Sequence, residues 1–105
     1  MREIKFRAWC TDENTMYENV TYNKDYESGV NPWIFMQFTG LLDKNGKEIY
    51  EGDVLHQDNY SDWIVEWKSP GFSIYNQCNP QTYFPLVDSG REVNGNIYEN
   101  PELIK

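Results

Sequence analysis

Ile4, Phe6, Ala8 and Cys10 alternate with Glu3, Lys5, Arg7 and Trp9, a period of two that predicts a half-buried strand over residues 2–10. On that reading Lys5 and Arg7 share a solvated face, and Trp9 stands exposed beside them. The alternation stops at Thr11–Thr15, which reads as a turn, and a short strand fits Met16–Tyr22. Residues 23–32 are polar, with Gly29 and Pro32 as breakers, and read as a long loop carrying tyrosines. From Trp33 to Gly40 the run WIFMQFTG is apolar on both faces as far as Gln37, the pattern of a strand inside a sheet.

Two hairpins follow. In DKNG, Asp43 can accept a hydrogen bond from the backbone two residues on, and Asn45-Gly46 supplies the positive φ that closes a tight turn. This predicts a type I turn with a glycine bulge, and a short return strand over Lys47–Tyr50. Gly52 marks a break, and Val54–His56 begins the next strand. In DWIVEW, Trp63, Val65 and Trp67 fall on one face, the pattern of core. Ser69-Pro70-Gly71 turns the chain, and Phe72–Tyr75 returns. Gln77–Pro85 is polar and proline-bearing, and reads as irregular. A last strand fits Val93–Tyr98, and Asn100-Pro101 starts at most one helical turn, with Asn as the cap.

These elements predict a mainly β fold. Six to eight short strands must close or cover their edges, so the outcome is a small partly open β-barrel or two-sheet roll with hairpins. The chain of 105 residues fits one domain, residues 1–105. No apolar run approaches the length of a membrane span, and the N-terminus lacks a signal's apolar region, which places the protein in a cytoplasm.

Charge and chemistry narrow the function. The net charge is −8, with Lys and Arg scattered, so direct nucleic-acid binding is disfavoured. Cys10 and Cys78 share no ligand spacing, and His56 alone could join them; zinc wants about four such ligands. They read as buried or half-buried free thiols. His56, beside Asp53 and Asp58, has the neighbours of a tuned base but reads as structural. No phosphate-binding glycine loop is present, and with 17 acids a carboxylate pair carries no information. Catalytic, metal and cofactor-binding residues are therefore none.

Three blocks, REIKFRAW (Arg2–Trp9), MQFTGLLDKNGKEIYEGDVL (Met36–Leu55) and GNIYENPEL (Gly95–Leu103), together resemble the YopX family of phage and prophage proteins. The resemblance implies a β-rich, barrel-like domain encoded by a bacteriophage or prophage, and it brings no catalytic residue. Cys10 and Leu42 depart from the family's pattern. Thr39, Gly40, Asp43, Asn45, Gly46, Gly52 and Asp53 in the middle block read as residues that set backbone geometry. The competing reading is an acidic rim of Asp43, Glu48, Glu51 and Asp53 that docks a partner or a cation.

Two functions are compatible with these readings. One is a non-enzymatic protein-interaction module that binds a host or phage protein, or itself as a homo-oligomer. It is supported by 4 Trp, 8 Tyr and 5 Phe and by the absence of a catalytic constellation. The other is an acidic inhibitor that mimics nucleic acid and blocks a host defence nuclease or DNA-binding protein. The expected partner-binding residues are Tyr17, Tyr22, Tyr26 and Trp33, within residues 14–33. That stretch is either a binding loop or a cap on the barrel.

Overall fold

A computed structural model describes residues 4–21, 32–58, 60–69, 71–86 and 90–104. The strands are β1 (Phe6–Cys10), β2 (Thr15–Val20), β3 (Trp33–Leu42), β4 (Glu48–Tyr50), β5 (Asp53–His56), β6 (Trp63–Lys68), β7 (Gly71–Asn76), β8 (Asn79–Pro85) and β9 (Glu92–Asn96). One 3-10 turn, Pro101–Ile104, follows them. Four strands form a sheet in the order β2-β1-β3-β4, and five form a second in the order β8-β7-β6-β5-β9. The fold is the expected two-sheet, half-barrel arrangement, and β3 lies inside its sheet as its doubly apolar sequence requires.

The sheets are tied together at Gly52 and Asp43. Gly52 donates its N–H to Val65 O and accepts from Ile97 N, both at 2.9 Å. Its φ is +85°, and a side chain there would meet Met36 Sδ at 3.1 Å, so both the turn and the close approach require glycine. The Asp43 turn is bonded to β9: Lys44 N donates to Arg91 O at 3.0 Å. β4 and β9 therefore lie along the joined side of the molecule, and among the described residues β2 and β8 are its open edges.

The core sits on one face of the second sheet. Ile49, Leu55, Trp63, Val65, Ile74 and Leu86 form it, with Leu41, Phe72 and Val93 packed against them. The second hairpin's register makes this one surface: Val65 pairs with Ile74 and Trp67 with Phe72. Ile74 in turn pairs with Phe84.

Several sequence readings need correction. Both faces of β1 are covered: Arg7, Ala8, Trp9 and Cys10 are all buried. Trp9, expected outside, stacks on Tyr98 with ring centroids 6.0 Å apart. Gln77–Pro85 is not irregular, because β8 occupies most of it and pairs with β7. β8 is an edge strand, where Pro80 and Pro85 need not donate on the open side, so proline there signals position rather than disorder. Trp67 is 47% exposed, although it shares the buried face of Val65, because it lies at that face's border. Cys10 is buried as expected, but Cys78 is exposed.

Candidate functional site

The middle block does the geometric work its residue types suggest. Asp43 Oδ1 accepts from Asn45 N and Lys47 N, each at 2.8 Å. Its Oδ2 accepts from Val93 N at 2.9 Å, which fixes the turn to β9. Gly46 N donates to Asp43 O at 3.0 Å, and Gly46 has φ +84°, the type I turn with glycine bulge that DKNG predicts. Burial alone would raise the Asp43 pKa; the three N–H donors outweigh it and hold the carboxyl below its ordinary value. The pairing of β3 with β4 shifts between Phe38 and Leu42. Gly40 has φ +88° within that shift. Buried Thr39 patches it by donating Oγ1–H to Ile49 O at 2.8 Å and accepting from Leu41 N at 3.2 Å.

Arg7 is the largest departure from the sequence reading. It does not face solvent; it is 7% exposed, against an Asp53 that is 1% exposed. Arg7 Nη2 donates to Asp53 Oδ1 at 2.7 Å and to Glu51 O at 3.1 Å. Asp53 Oδ2 accepts from Tyr50 N at 2.7 Å. The guanidinium lies 4.7 Å from the centre of the Tyr50 ring. Burial drives the Tyr50 phenol up to about 12, with the Glu48 charge adding to it. The acidic rim read from sequence is thus divided. Asp43 and Asp53 turn inward onto backbone and arginine, while Glu48 pairs with Lys5. Glu51 Oε1 accepts from Gln37 N at 2.8 Å. Among the described residues no group of three His, Cys, Asp or Glu is placed to hold a metal ion.

Above the Arg7–Asp53 pair lies a polar cleft of about 470 Å³. β2 contributes Glu18, the β3–β4 turn Lys47, β9 Asn94, and the segment after β9 Glu99 and Asn100. Asn96 organises that last segment. Its Oδ1 accepts from Tyr98 N at 3.0 Å and Glu99 N at 2.8 Å. Asn100, expected to cap the 3-10 turn with its side chain, points it back instead: Oδ1 accepts from Asn96 N at 3.2 Å.

His56 stands between two acids. Nδ1 lies 3.3 Å from Asp62 Oδ1 and Nε2 3.2 Å from Asp58 Oδ1. The Asp62 hydrogen bond foremost, then that of Asp58, raises its pKa above the ordinary value against partial desolvation. Cys78 is 2.9 Å from Ser61 Oγ. With both ring nitrogens engaged by carboxylates, His56 has the geometry of a braced surface residue.

Of the expected partner-binding residues, Tyr17 and Trp33 are brought together, edge to face at 5.3 Å between centroids. Tyr17 is 40% exposed, and its hydroxyl donates to Glu13. Tyr22 and Tyr26 lie outside the described residues. A second aromatic surface escaped the sequence reading. Trp67 and Phe84 are each 47% exposed and Tyr60 58%. Trp67 meets Phe72 at 5.0 Å, and Trp63 bridges Tyr60 at 6.2 Å and Phe84 at 5.7 Å. The signal that could have found it is the edge character of β8, which places Phe84 at the border of the core.

The YopX family model, described as YopX protein, matches residues 19–105. The chain belongs to the YopX family. That match takes in the middle and C-terminal blocks, Met36–Leu55 and Gly95–Leu103, and the first block lies ahead of it. The chain is also similar to protein EF1440 from Enterococcus faecalis, whose crystal structure superposes with a TM-score of 0.73 at 27% identity, covering 100% of both chains. That likeness spans the first block as well. No curated protein matches the chain by sequence.

Proposed function

We propose that this YopX protein is a non-enzymatic interaction module, a small accessory protein of phage or prophage origin that binds a host or phage protein in the host cytoplasm. The observation that supports this reading most is the aromatic border of the core, where Tyr60, Trp67 and Phe84 are exposed beside buried Trp63 and Ile74. Large rings at the margin of a packed surface are the residue types and setting that dominate binding energy, because they bury much area at little entropic cost. Tyr17 and Trp33 offer a second such contact on the other sheet. The open edges β2 and β8 support self-association as well.

Capture from host lysate tests the reading. The Trp67→Ser/Phe84→Ser variant is expected to keep its fold and lose the captured protein. Unchanged capture by that variant overturns the aromatic border as the site. The net charge of −8 supports the second reading, a mimic of nucleic acid. It requires that the captured proteins be basic and that they release steeply as salt rises. Capture of neutral partners alone excludes it.

A further inference from the structure

We infer that β8 is the contact between two copies of this chain, paired antiparallel about a two-fold axis at Tyr83. The inference rests on the interaction reading and deepens it by naming one occupant for one edge.

The backbone supplies the geometry. Among the described residues β8 pairs with β7 alone. Leu86 N donates to Phe72 O at 3.1 Å, and the register continues through Ser73–Pro85, Ile74–Phe84 and Tyr75–Tyr83. In an antiparallel strand the N–H and C=O of one residue point to the same side, and successive residues alternate. Leu86 and Phe84 therefore turn theirs toward β7, while Tyr83 and Pro85 turn theirs outward. A second copy rotated about Tyr83 meets this edge with the same groups. Each Tyr83 N–H donates to the other's Tyr83 C=O, and each Pro85 C=O stands opposite the other's Gln81 N–H. Proline has no N–H to return, so the ladder ends there. The contact uses the same patch on both copies and closes at two.

The side chains select a like chain. Charged residues, lysine above all, are what ordinarily keep sheet edges apart. In a chain that is 25% charged, residues 69–87 contain no Asp, Glu, Lys or Arg, and β8 lies within that stretch. Two chains of net charge −8 approach there with the least direct repulsion. β2 differs, since it carries Glu18 and bends at Asn19. Tyr83 is held in place by Tyr75, with ring centroids 5.3 Å apart, and by Lys68 Nζ 4.8 Å from its ring centre. These contacts fix the peptide that offers the outward bonds. On the other face, the exposed ring of Phe84 falls opposite the exposed Thr82 of the second copy, in a pair whose side chains approach closely.

Sedimentation and amide hydrogen exchange of the full chain test this together. Mass is expected to rise to two copies and no further as concentration passes through tens of micromolar, and exchange at the Tyr83 amide to slow over the same range. Thr82→Glu sets a carboxylate on each side of the axis and is expected to weaken the dimer about tenfold, with the melting temperature unchanged. Thr15→Glu adds the same charge at the exposed start of β2 and is expected to leave the dimer as it was. A monomer at every concentration, a dimer whose Tyr83 amide exchanges as in the monomer, or an equal response to the two variants overturns the inference. Protection of Tyr83 that appears only when a captured protein is added gives the edge to another chain and overturns it too. If Trp67→Ser/Phe84→Ser leaves host capture unchanged while the parent dimer protects Tyr83, the aromatic border falls and this inference stands. If that variant loses capture while the parent is monomeric, the border stands and this inference falls.

Discussion

At the scale of single residues, the buried pair of Arg7 and Asp53 is the most consequential arrangement. Asp53 uses one oxygen on Arg7 and the other on Tyr50 N, so neither can be changed to a donor without conflict. In Asp53→Asn the amide must turn its NH₂ either toward the guanidinium or toward the Tyr50 N–H. Either way a donor faces a donor, and Arg7 keeps a buried charge without its counterion. Loss of one partner from a buried pair costs about 3–5 kcal/mol. Chemical denaturation of Asp53→Asn is expected to show that loss, and Arg7→Met/Asp53→Asn to recover part of it because no lone charge remains. Equal stability of Asp53→Asn and the parent would mean that the pair contributes nothing. His56 gives the pH counterpart. Its folded pKa is raised above the ordinary 6.5, chiefly by Asp62. The stabilisation it contributes is complete below pH 6.5 and fades as pH rises through the folded pKa. NMR titration should place His56 above 6.5, and Asp62→Asn should bring it back toward that value. A His56 that titrates at or below the ordinary value refutes the bracing.

At the scale of elements, the hairpin of β3 and β4 was legible because its information is local. Asp43, Asn45 and Gly46 set a turn whose bonds close within five residues, and the structure has those bonds. The alternation of β1 was legible too, but its meaning was not. Period two reports that side chains point two ways; it does not say what covers each face. Trp9 and Arg7 are covered by Tyr98 and Asp53, residues far along the chain. β8 was hidden for a related reason, since its pairing with β7 satisfies one side only and its prolines imitate a loop. Gly46 in the hairpin turn and Gly95 in β9 differ in whether crowding adds to conformational strain. Gly46 has φ +84° and open space around it, so Gly46→Val is expected to cost about 1–2 kcal/mol through strain alone. Gly95 has φ +153°, and a methyl group there would meet Asn100 Oδ1 at 2.5 Å and Leu103 Cδ1 at 3.0 Å. Even the small change Gly95→Ala must displace Asn100 and break its bond to Asn96, a cost of about 1–3 kcal/mol. Thermal melts of the two variants check this. An unchanged midpoint for Gly46→Val means the turn tolerates a branched side chain. An unchanged midpoint for Gly95→Ala means Asn100 moves freely.

At the scale of the whole molecule, the joined side and the open side have different consequences. Asp43, Lys44 and Gly52 tie the two sheets along β4 and β9, and among the described residues β2 and β8 are the outer strands, each paired on one side only. Both edges carry features that limit pairing. β2 bends where its register with β1 shifts, at Asn19 with φ +55°, and β8 contains Pro80 and Pro85. A continuous ladder between copies is therefore short on either edge. On β8, however, the exposed rings of Phe84 and its neighbours lie beside that edge and can add apolar burial to a short ladder. Repulsion between copies of net charge −8 opposes association, and salt screens it within about 10 Å at 0.1 M. The expected outcome is a homo-oligomer at tens of micromolar whose mass by light scattering rises with salt and falls when Phe84 is changed to Ser. Rising salt strengthens this contact by screening like charges, the opposite of its effect on captured basic proteins. A monomer mass at every salt concentration ends the proposal of self-association. An oligomer indifferent to Phe84→Ser moves it from β8 to the edge at β2, where Tyr17 packs against Trp33 of β3.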